Sequence, residues 1–272
     1  MTAVPRQTTT QRRELLLAAV RDGENGIQQL ADQFGVSLST IRRDLTELAR
    51  EGHVVRTYGG ALDTAYAVER TLREKDTINA EEKDAVAMAA AALVGDGEVV
   101  LLDAGTTTGR LARHLADRSG LTVVTNGLSV LLALADSPNV EVIVLGGRLR
   151  HPNESILGAT VERQLRHITP DRVFLGADGL TADRGLCSPS LEQAQLKHAM
   201  LHAGRESCLL VDHAKLGHAP FAYWTPLDRP HTVVVDDRDP DALDDFRTTG
   251  LRTLLVASPV PEPQLAGGVR GV

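Results

Sequence analysis

Short apolar runs alternate with longer helical patterns over most of this chain, from about residue 98 onward. The runs are rich in β-branched residues, and helical stretches such as 109–118 and 191–203 lie between most of them. Alternation of this kind predicts an α/β domain built on a mostly parallel sheet. The predicted strands are 99–102, 121–124, 140–145, 173–175, 207–211 and 232–235, with a last edge strand near 251–256.

The length of the chain leaves room for a second domain, because 272 residues exceed the roughly 150 residues expected of one domain. The net charge of −7 excludes a uniformly basic protein that coats nucleic acid. Residues 1–60 hold eight Arg, no Lys and seven acidic residues, whereas residues 61–272 carry a net charge of −8. This asymmetry is a weak indication that the N-terminal part faces nucleic acid.

Composition also bears on location and on cofactors. Cys187 and Cys208 are too few for a disulfide framework or a cysteine-built zinc site, and we expect both to be small core or loop residues. The longest apolar run, residues 85–94, is too short to span a bilayer. The apolar stretch 15–20 is also short and follows charged residues, unlike a secretory signal. We therefore expect a cytoplasmic protein with no membrane partner.

The first 60 residues show three short helical patterns, at about 11–21, 27–34 and 38–50. Gly35 is placed to end the second helix, and either Ser37 or Ser39 can cap the third. A short strand at 53–58 and a Gly-Gly turn follow. The pattern predicts a helix-turn-helix with a wing in residues 1–60, preceded by a frayed arm of about ten residues.

The third helix separates an apolar face from a polar one. At 100° per residue, Ile41, Leu45 and Leu48 fall on one side. The opposite side of the helix carries Ser, Thr and Arg side chains. A polar face of this kind suits reading of a major groove, because Arg can bond guanine and Ser or Thr can reach bases or phosphates. An equally open alternative is a solvated face whose arginines pair with Asp44 and Glu47. The predicted DNA contacts are Ser39, Thr40, Arg42 and Arg43 on this helix, and Arg56 on the wing.

The stretch 37–45 (SLSTIRRDL), followed by Glu51-Gly52 and by 56–61 (RTYGGA), resembles the N-terminal signature of the DeoR family of transcriptional regulators. The spacing agrees from about Arg12 to Ala61, with Tyr58 at a position where the family often has His. The resemblance implies a double-stranded DNA operator as partner and favours repression over activation.

The segment 103–109 (DAGTTTG) lies between a predicted strand and a predicted helix. Glycines, helix-start amides and three hydroxyls in that position suit an anion, although a Thr-rich turn is the plainer interpretation. The chain has no Gly-Lys pair and no GxGxxG after a strand, so we expect no nucleotide and no other cofactor. Further polar loops end the other predicted strands, at 125–127, 146–147, 176–179 and 212–215.

These loops resemble the DeoR C-terminal domain over roughly residues 80–236, whose Rossmann-like fold is similar to ribose-5-phosphate isomerases and glucosamine-6-phosphate deaminases. Leu216 departs from a common Phe and Gln193 from a common Glu, and Lys197 is expected to be structural or solvated. The resemblance implies a small phosphorylated sugar as effector. The predicted effector residues are Asp103, Gly105, Thr106, Thr107, Thr108, Asn126, Gly146, Gly147, Asp178 and Lys215.

We therefore expect a homo-oligomeric repressor, dimer or tetramer, of a carbohydrate-metabolism operon, and not an enzyme. The predicted divisions are a DNA-binding domain at 1–60, a linker at 61–79, an effector-binding α/β domain at 80–257 and a disordered tail at 258–272. One alternative is a sugar-phosphate isomerase or deaminase with a DNA-binding extension, using Asp103, Asp178 and Lys215 for proton transfer. A metal sensor is disfavoured, because we find no HExxH, no CxxC and no close His/Cys cluster in the sequence.

Overall fold

The computed structural model describes residues 9–21, 26–51, 54–57, 60–63, 69–239 and 251–258. The predicted tail beyond residue 258, most of the N-terminal arm and the wing turn at Tyr58-Gly59 lie outside this part of the chain. Thr9 and Thr10 of the predicted arm already belong to the first helix. Among the described residues, no helix combines the length and apolarity that crossing a membrane requires.

The N-terminal part is a helix-turn-helix of α1 (Thr9–Arg21), α2 (Ile27–Phe34) and α3 (Leu38–Arg50). Gly35 ends α2 in the left-handed region at φ 61°, which a side chain would disfavour. Ser37, and not Ser39, caps α3 by accepting a hydrogen bond from the Thr40 amide. The predicted apolar face of α3 packs into the core of this unit, with Ile41, Leu45 and Leu48 all buried.

The wing and a further helix follow. Strand β1 (Val54–Thr57) pairs antiparallel with β2 (Gly60–Asp63). Helix α4 (Leu72–Thr77) begins with a capping box, in which the Thr71 hydroxyl and the Glu74 carboxylate exchange hydrogen bonds with each other's backbone amides. The interval 61–79, predicted to be a linker, therefore contains a wing strand and a short helix.

A seven-stranded parallel sheet forms the C-terminal domain, as the alternating pattern predicted. The strand order is β14-β13-β11-β8-β3-β4-β5, with β14 at one edge as expected. Their bounds are β3 Val99–Leu102, β4 Leu121–Thr125, β5 Val140–Val144, β8 Arg172–Gly176, β11 Glu206–Leu210, β13 His231–Asp236 and β14 Leu251–Ala257.

Helices cover both faces of this sheet, because successive strand residues alternate between two apolar cores. Leu102 faces the core formed by α5 (Ala80–Ala91), α6 (Thr106–Leu115) and α7 (Leu128–Leu134). Leu101 faces the core on the side of α8 (Ala159–Leu165) and α9 (Leu191–Ala203). Cys208 joins the first core and Cys187 is fully buried, as expected, and burial raises the pKa of each thiol to about 12.

Short strands complete the domain at the carboxyl edge of the sheet and on its flank. One hairpin is β6 (Arg148–Arg150) with β7 (Ser155–Leu157). A three-stranded antiparallel sheet consists of β9 (Gly179–Thr181), β10 (Gly185–Ser188) and β12 (Tyr223–Thr225). A single 3-10 turn, His213–Lys215, follows β11.

The strand order reverses at β3. The chain runs from β3 outward to β4 and β5, then crosses back to β8 on the other side of β3. In open α/β sheets, ligands bind beyond the carboxyl ends of the strands at such a switch point. The fold therefore directs attention to the loops after β3 and β8.

Candidate effector cleft and DNA-reading helix

A cleft that is open to solvent lies beyond the carboxyl ends of β3 and β8. Its position is that of a site for a small molecule. It is lined by Leu72, Lys75, Ala104, Gly105, Thr106, Thr107, Asn153, Gly176, Ala177, Asp178, Gln193, Lys197 and Lys215.

The N-terminus of helix α6 forms one wall of the cleft. Gly105 occupies the N-cap position, and Thr106 and Thr107 are the first helical residues. The first amides of a helix have no partner within it and carry partial positive charge, so they favour an anion. The wall therefore offers backbone donors and two hydroxyl groups to the same space.

The Lys197 ammonium group lies inside the cleft and not in solvent. Only 7% of the residue is exposed, and its Nζ donates to a carboxylate oxygen of Asp103 and to the carbonyl of Gly176 at 2.7 Å. Asp103 follows β3 and Gly176 ends β8, so this lysine bridges the two strands at the switch point. The position agrees with the structural role expected of Lys197, and it also adds a charge to the cleft.

The second cation of the cleft, Lys75, belongs to a helix outside the sheet. Lys75 on α4 places its Nζ 2.5 Å from Oδ1 of Asp178, in the loop after β8. Burial acts to raise the pKa of Asp178, but the charges of Lys75, Lys215 and Lys197 outweigh it and hold that pKa below its ordinary value. Asp178 is therefore a carboxylate surrounded by ammonium groups.

The third cation, Lys215, comes from the 3-10 turn after β11 and lies 3.4 Å from Asp212. The Asn79 side-chain amide donates to the same carboxylate at 2.9 Å. Burial acts to raise the pKa of Asp212, and the charge of Lys215 leads the effects that lower it below its usual value. Each of the three cleft lysines thus has a carboxylate partner close by.

Residues just before, within and just after α4 make further polar contacts. Glu69 forms a bidentate pair with Arg150 of β6 and lies 3.8 Å from Lys75. Lys83 of α5 is buried, and its Nζ donates to the carbonyls of Lys75 and Ile78, both at 2.5 Å. Helix α4 is therefore fixed to the C-terminal domain at both of its ends.

The structure brings Gly105, Thr106, Thr107, Asp178 and Lys215 to the cleft and places Asp103 directly behind Lys197. Besides Asp103, four predicted effector residues are not part of the described lining: Thr108, Asn126, Gly146 and Gly147.

Those four residues shape the loops instead of facing the cleft. Thr108 is fully buried and its hydroxyl donates to the carbonyl of Gly105. Buried Asn126 accepts from the Ala104 amide and so ties the loop after β4 to the loop after β3. Gly146 donates its amide to Gln164 of α8. At Gly147 a Cβ would lie 2.4 Å from a backbone oxygen, so only glycine fits.

Sequence reasoning missed Lys75, Leu72 and Asn153 and left out Gln193. Lys75 and Leu72 fell in the predicted linker, where no periodic pattern marked a helix. For Gln193 the sequence did hold a signal, because Ser190 is a typical N-cap residue and Gln193 lies three positions after it. In the structure the Ser190 hydroxyl accepts a hydrogen bond from the Gln193 backbone amide, which places Gln193 in the first turn of α9. Its neighbour Glu192 points elsewhere and pairs with Arg148.

The polar face of α3 is exposed, as the helical wheel predicted. Ser39, Arg42 and Arg43 are exposed and Thr40 is half-buried. Of Arg56 the structure describes only the backbone position, in β1.

The alternative interpretation, in which the arginines of this face pair with Asp44 and Glu47, holds only for Glu47. Asp44 is buried and accepts hydrogen bonds from Arg12 and Arg13 of α1, at 2.7 and 3.1 Å. Glu47 pairs with Arg50 at the far end of the helix. Among the residues described, Arg43 is in no ion pair.

Two family models match the chain in the same division. The DeoR-like helix-turn-helix domain matches residues 12–64, and the DeoR C terminal sensor domain matches residues 78–237, more than half of the chain. The chain belongs to the DeoR family of transcriptional regulators. It therefore has a DNA-binding N-terminal domain and a C-terminal sensor domain.

Relatives match over nearly the whole chain. A putative aga operon transcriptional repressor of Escherichia coli O157:H7 is 33% identical over 91% of this chain and 94% of its own length. The transcriptional regulator GlpR of Haloferax volcanii is also 33% identical, over 88% of this chain and 94% of its own. The transcriptional repressor AccR of Agrobacterium fabrum is 31% identical, over 84% and 90%.

Among solved structures, ribose 5-phosphate isomerase A of Methanocaldococcus jannaschii aligns with a TM-score of 0.38 and 20% identity. The alignment covers 50% of this chain and 54% of the isomerase chain. This likeness is too partial to assign an activity to this DeoR-family member.

Proposed function

We propose that this DeoR-family regulator is a repressor of a carbohydrate-metabolism operon, and that a phosphorylated sugar bound in the cleft releases it from its operator. The observation that carries the proposal is the convergence of three lysines and the N-terminus of α6 on one cleft at the switch point of the sheet. The curated relatives are named as transcriptional regulators, which favours sensing over catalysis.

The phosphate group of the effector would bind at the start of α6. Amides of Gly105 to Thr107 and the hydroxyls of Thr106 and Thr107 supply hydrogen bonds to its oxygens. Lys215 and Lys75 supply point charges. Since these donors surround a partly enclosed space, their interaction with a dianion is stronger than it would be in bulk water.

The sugar end would be held by side chains that accept as well as donate hydrogen bonds. Asp178, Asn153 and Gln193 line the remaining cleft and suit hydroxyl groups. Asp178 stays ionised at neutral pH, because its lowered pKa keeps the proton off, so it accepts only. A polyhydroxylated ligand with one phosphate matches this division of donors and acceptors.

On the DNA side, α3 would lie in the major groove with Ser39, Thr40, Arg42 and Arg43 toward the bases, and Arg56 of the wing would contact a backbone phosphate. A single unit of this kind carries little net positive charge, so its affinity for DNA is low. We propose that two or four chains associate to bind an operator with repeated half-sites.

Effector binding would be coupled to DNA binding through α4, which lies between the wing and the sensor domain in the chain. A phosphate in the cleft competes with Asp178 for Lys75 and thereby changes how α4 is held. A ligand shifts a conformational equilibrium only by its difference in affinity for the two states, and this contact supplies such a difference.

The test is fluorescence anisotropy of the full-length protein on a labelled fragment from upstream of its own operon, with and without a mixture of pentose and hexose phosphates. We expect saturable, salt-sensitive binding that the mixture weakens. The same sugars without phosphate are the matched control and should have no effect. Binding that ignores the mixture would contradict the effector assignment, and turnover of any sugar phosphate would replace it with the isomerase alternative.

A further inference from the structure

Two histidines and a carboxylate meet on the surface of the sensor domain, away from the effector cleft. In the described part of the chain, His198, His202 and Asp228 each place a ligand atom within 4.8 Å of the others. His198 and His202 are four residues apart on α9, and so lie on the same face of the helix. The spacing is that of the two histidines in HExxH, but Ala199 stands in place of the glutamate, and Asp228 is too distant in sequence to be paired with the histidines by motif.

The His–Asp distances within the group are close to those between two ligand atoms of one metal ion. The Nε2 atom of His202 lies 3.0 and 3.2 Å from the two carboxylate oxygens of Asp228, and Nε2 of His198 lies 3.4 Å from one of them. Around a tetrahedral zinc ion with bonds of about 2.0–2.1 Å, neighbouring ligand atoms are about 3.3 Å apart. Small side-chain rotations therefore suffice to place all three atoms around one ion.

The segment that carries Asp228 is fixed to the end of α9. The guanidinium group of Arg229 donates to the carbonyls of Leu201, His202 and Gly204, at 3.2, 3.3 and 3.5 Å. These are carbonyls of the last helical turn and of the residue after it, and the last carbonyls of a helix have no partner within the helix. Because Asp228 is next to Arg229, this cap holds the carboxylate beside both imidazole rings.

We propose that His198, His202 and Asp228 form a binding site for one divalent transition-metal ion of the zinc class, with the remaining coordination positions open to water. Two imidazoles and one carboxylate are a ligand set that zinc accepts. The ion would clamp the C-terminal half of α9 to the segment before β13. Since α9 also carries Gln193 and Lys197, the metal would stabilise the helix that lines one side of the effector cleft.

The experiment uses the full-length protein without an affinity tag, stripped with chelator and titrated with zinc chloride by calorimetry. We expect one equivalent bound per chain and a rise in Tm with zinc. Cobalt should give the visible absorption of a tetrahedral site with nitrogen and oxygen ligands. His198→Gln and His202→Gln should each weaken zinc binding at least tenfold.

The matched control is His114→Gln. His114 also forms an imidazole–carboxylate contact, with Asp84 at 3.1 Å, but among the residues that the structure describes this pair belongs to no group of three. Its loss should leave both the stoichiometry and the Tm shift unchanged. Circular dichroism checks that the variants are folded. Failure to saturate with zinc, or unchanged binding by the folded His198→Gln/His202→Gln double variant, would overturn the proposal.

Discussion

The ammonium group of Lys75 lies 2.5 Å from a carboxylate oxygen of Asp178 and joins a short helix between the two domains to the strand-end loop that faces the cleft. Lys75 belongs to α4, and Asp178 follows β8, which lies beside β3 at the centre of the sheet. The pair is only partly exposed, with 21% and 19% of the side chains accessible, so solvent screens it less than a surface pair. This contact connects the effector site with the region that leads to the DNA-binding domain.

Lys75→Met should weaken sugar-phosphate binding by about tenfold or more, because a charge-assisted hydrogen bond contributes about 1.5–3 kcal/mol. Isothermal titration with a sugar phosphate that acts in the anisotropy assay measures the change. The control is Arg118→Met, which removes a positive charge from an exposed position paired with Asp96 at 3.5 Å. Equal affinity in Lys75→Met and wild type would show that this lysine does not contact the effector.

Arg43→Ala should abolish specific operator binding while the fold and effector binding persist. The side chain is exposed on α3, and a bidentate arginine contact to guanine discriminates against other bases by about 1–3 kcal/mol. Anisotropy on the operator and on a scrambled fragment measures the specific component. Arg118→Ala controls for the loss of one charge, since it lies in the sensor domain. Normal operator binding by Arg43→Ala would mean that α3 does not read the groove as proposed.

Thr107→Val should have the opposite effect to Arg43→Ala. The substitution keeps the shape of a side chain that is 2% exposed but removes its hydroxyl from the cleft wall. We expect DNA binding to remain and the effector concentration needed for half-release to rise by about fivefold to thirtyfold, which corresponds to one lost hydrogen bond of about 1–2 kcal/mol. An unchanged half-release concentration would exclude this hydroxyl from the site.

Lys83 should make the stability of the sensor domain depend on pH above neutrality. Burial, followed by the charge of Lys215, lowers its pKa from 10.5 to about 8 in the folded protein. Between these values the unfolded chain binds the proton and the folded chain does not, so the free energy of unfolding rises with pH, by at most ~1.4 kcal/mol per unit.

Chemical denaturation from pH 7 to pH 10.5 measures this dependence in the wild type and in Lys83→Met. Subtraction isolates the contribution of Lys83, because other groups titrate alike in both proteins. The difference should favour the wild type increasingly as the pH rises. A flat difference would mean that the Lys83 ammonium is as well stabilised by the carbonyls of Lys75 and Ile78 as it is by water.

The sequence by itself determined the local elements and the family. Periodicity placed α2, α3, α9 and most strands close to their observed bounds, because burying one face of a helix or strand requires a regular apolar pattern. The segment 103–109 was predicted as a junction between a strand and a helix, but the helix begins at Thr106 and not at Gly109. Helix α4 was not predicted, as its six residues are too few for a periodic signal.

Tertiary structure alone decided which polar residues share a site. Lys75 and Asp178 are 103 positions apart, and Lys197 and Asp103 are 94 apart. The crossover of the sheet at β3 places the loops after β3 and β8 side by side, and the packing of α4 against α6 adds Lys75; no local pattern encodes either arrangement. The same holds for the proposed metal-binding group. Its two histidines share a helix, but Asp228 is placed beside them by the contacts of Arg229 with the end of that helix. The periodicity of a sequence shows which face of one helix or strand is buried. A binding site depends instead on the relative positions of the ends of several helices and strands.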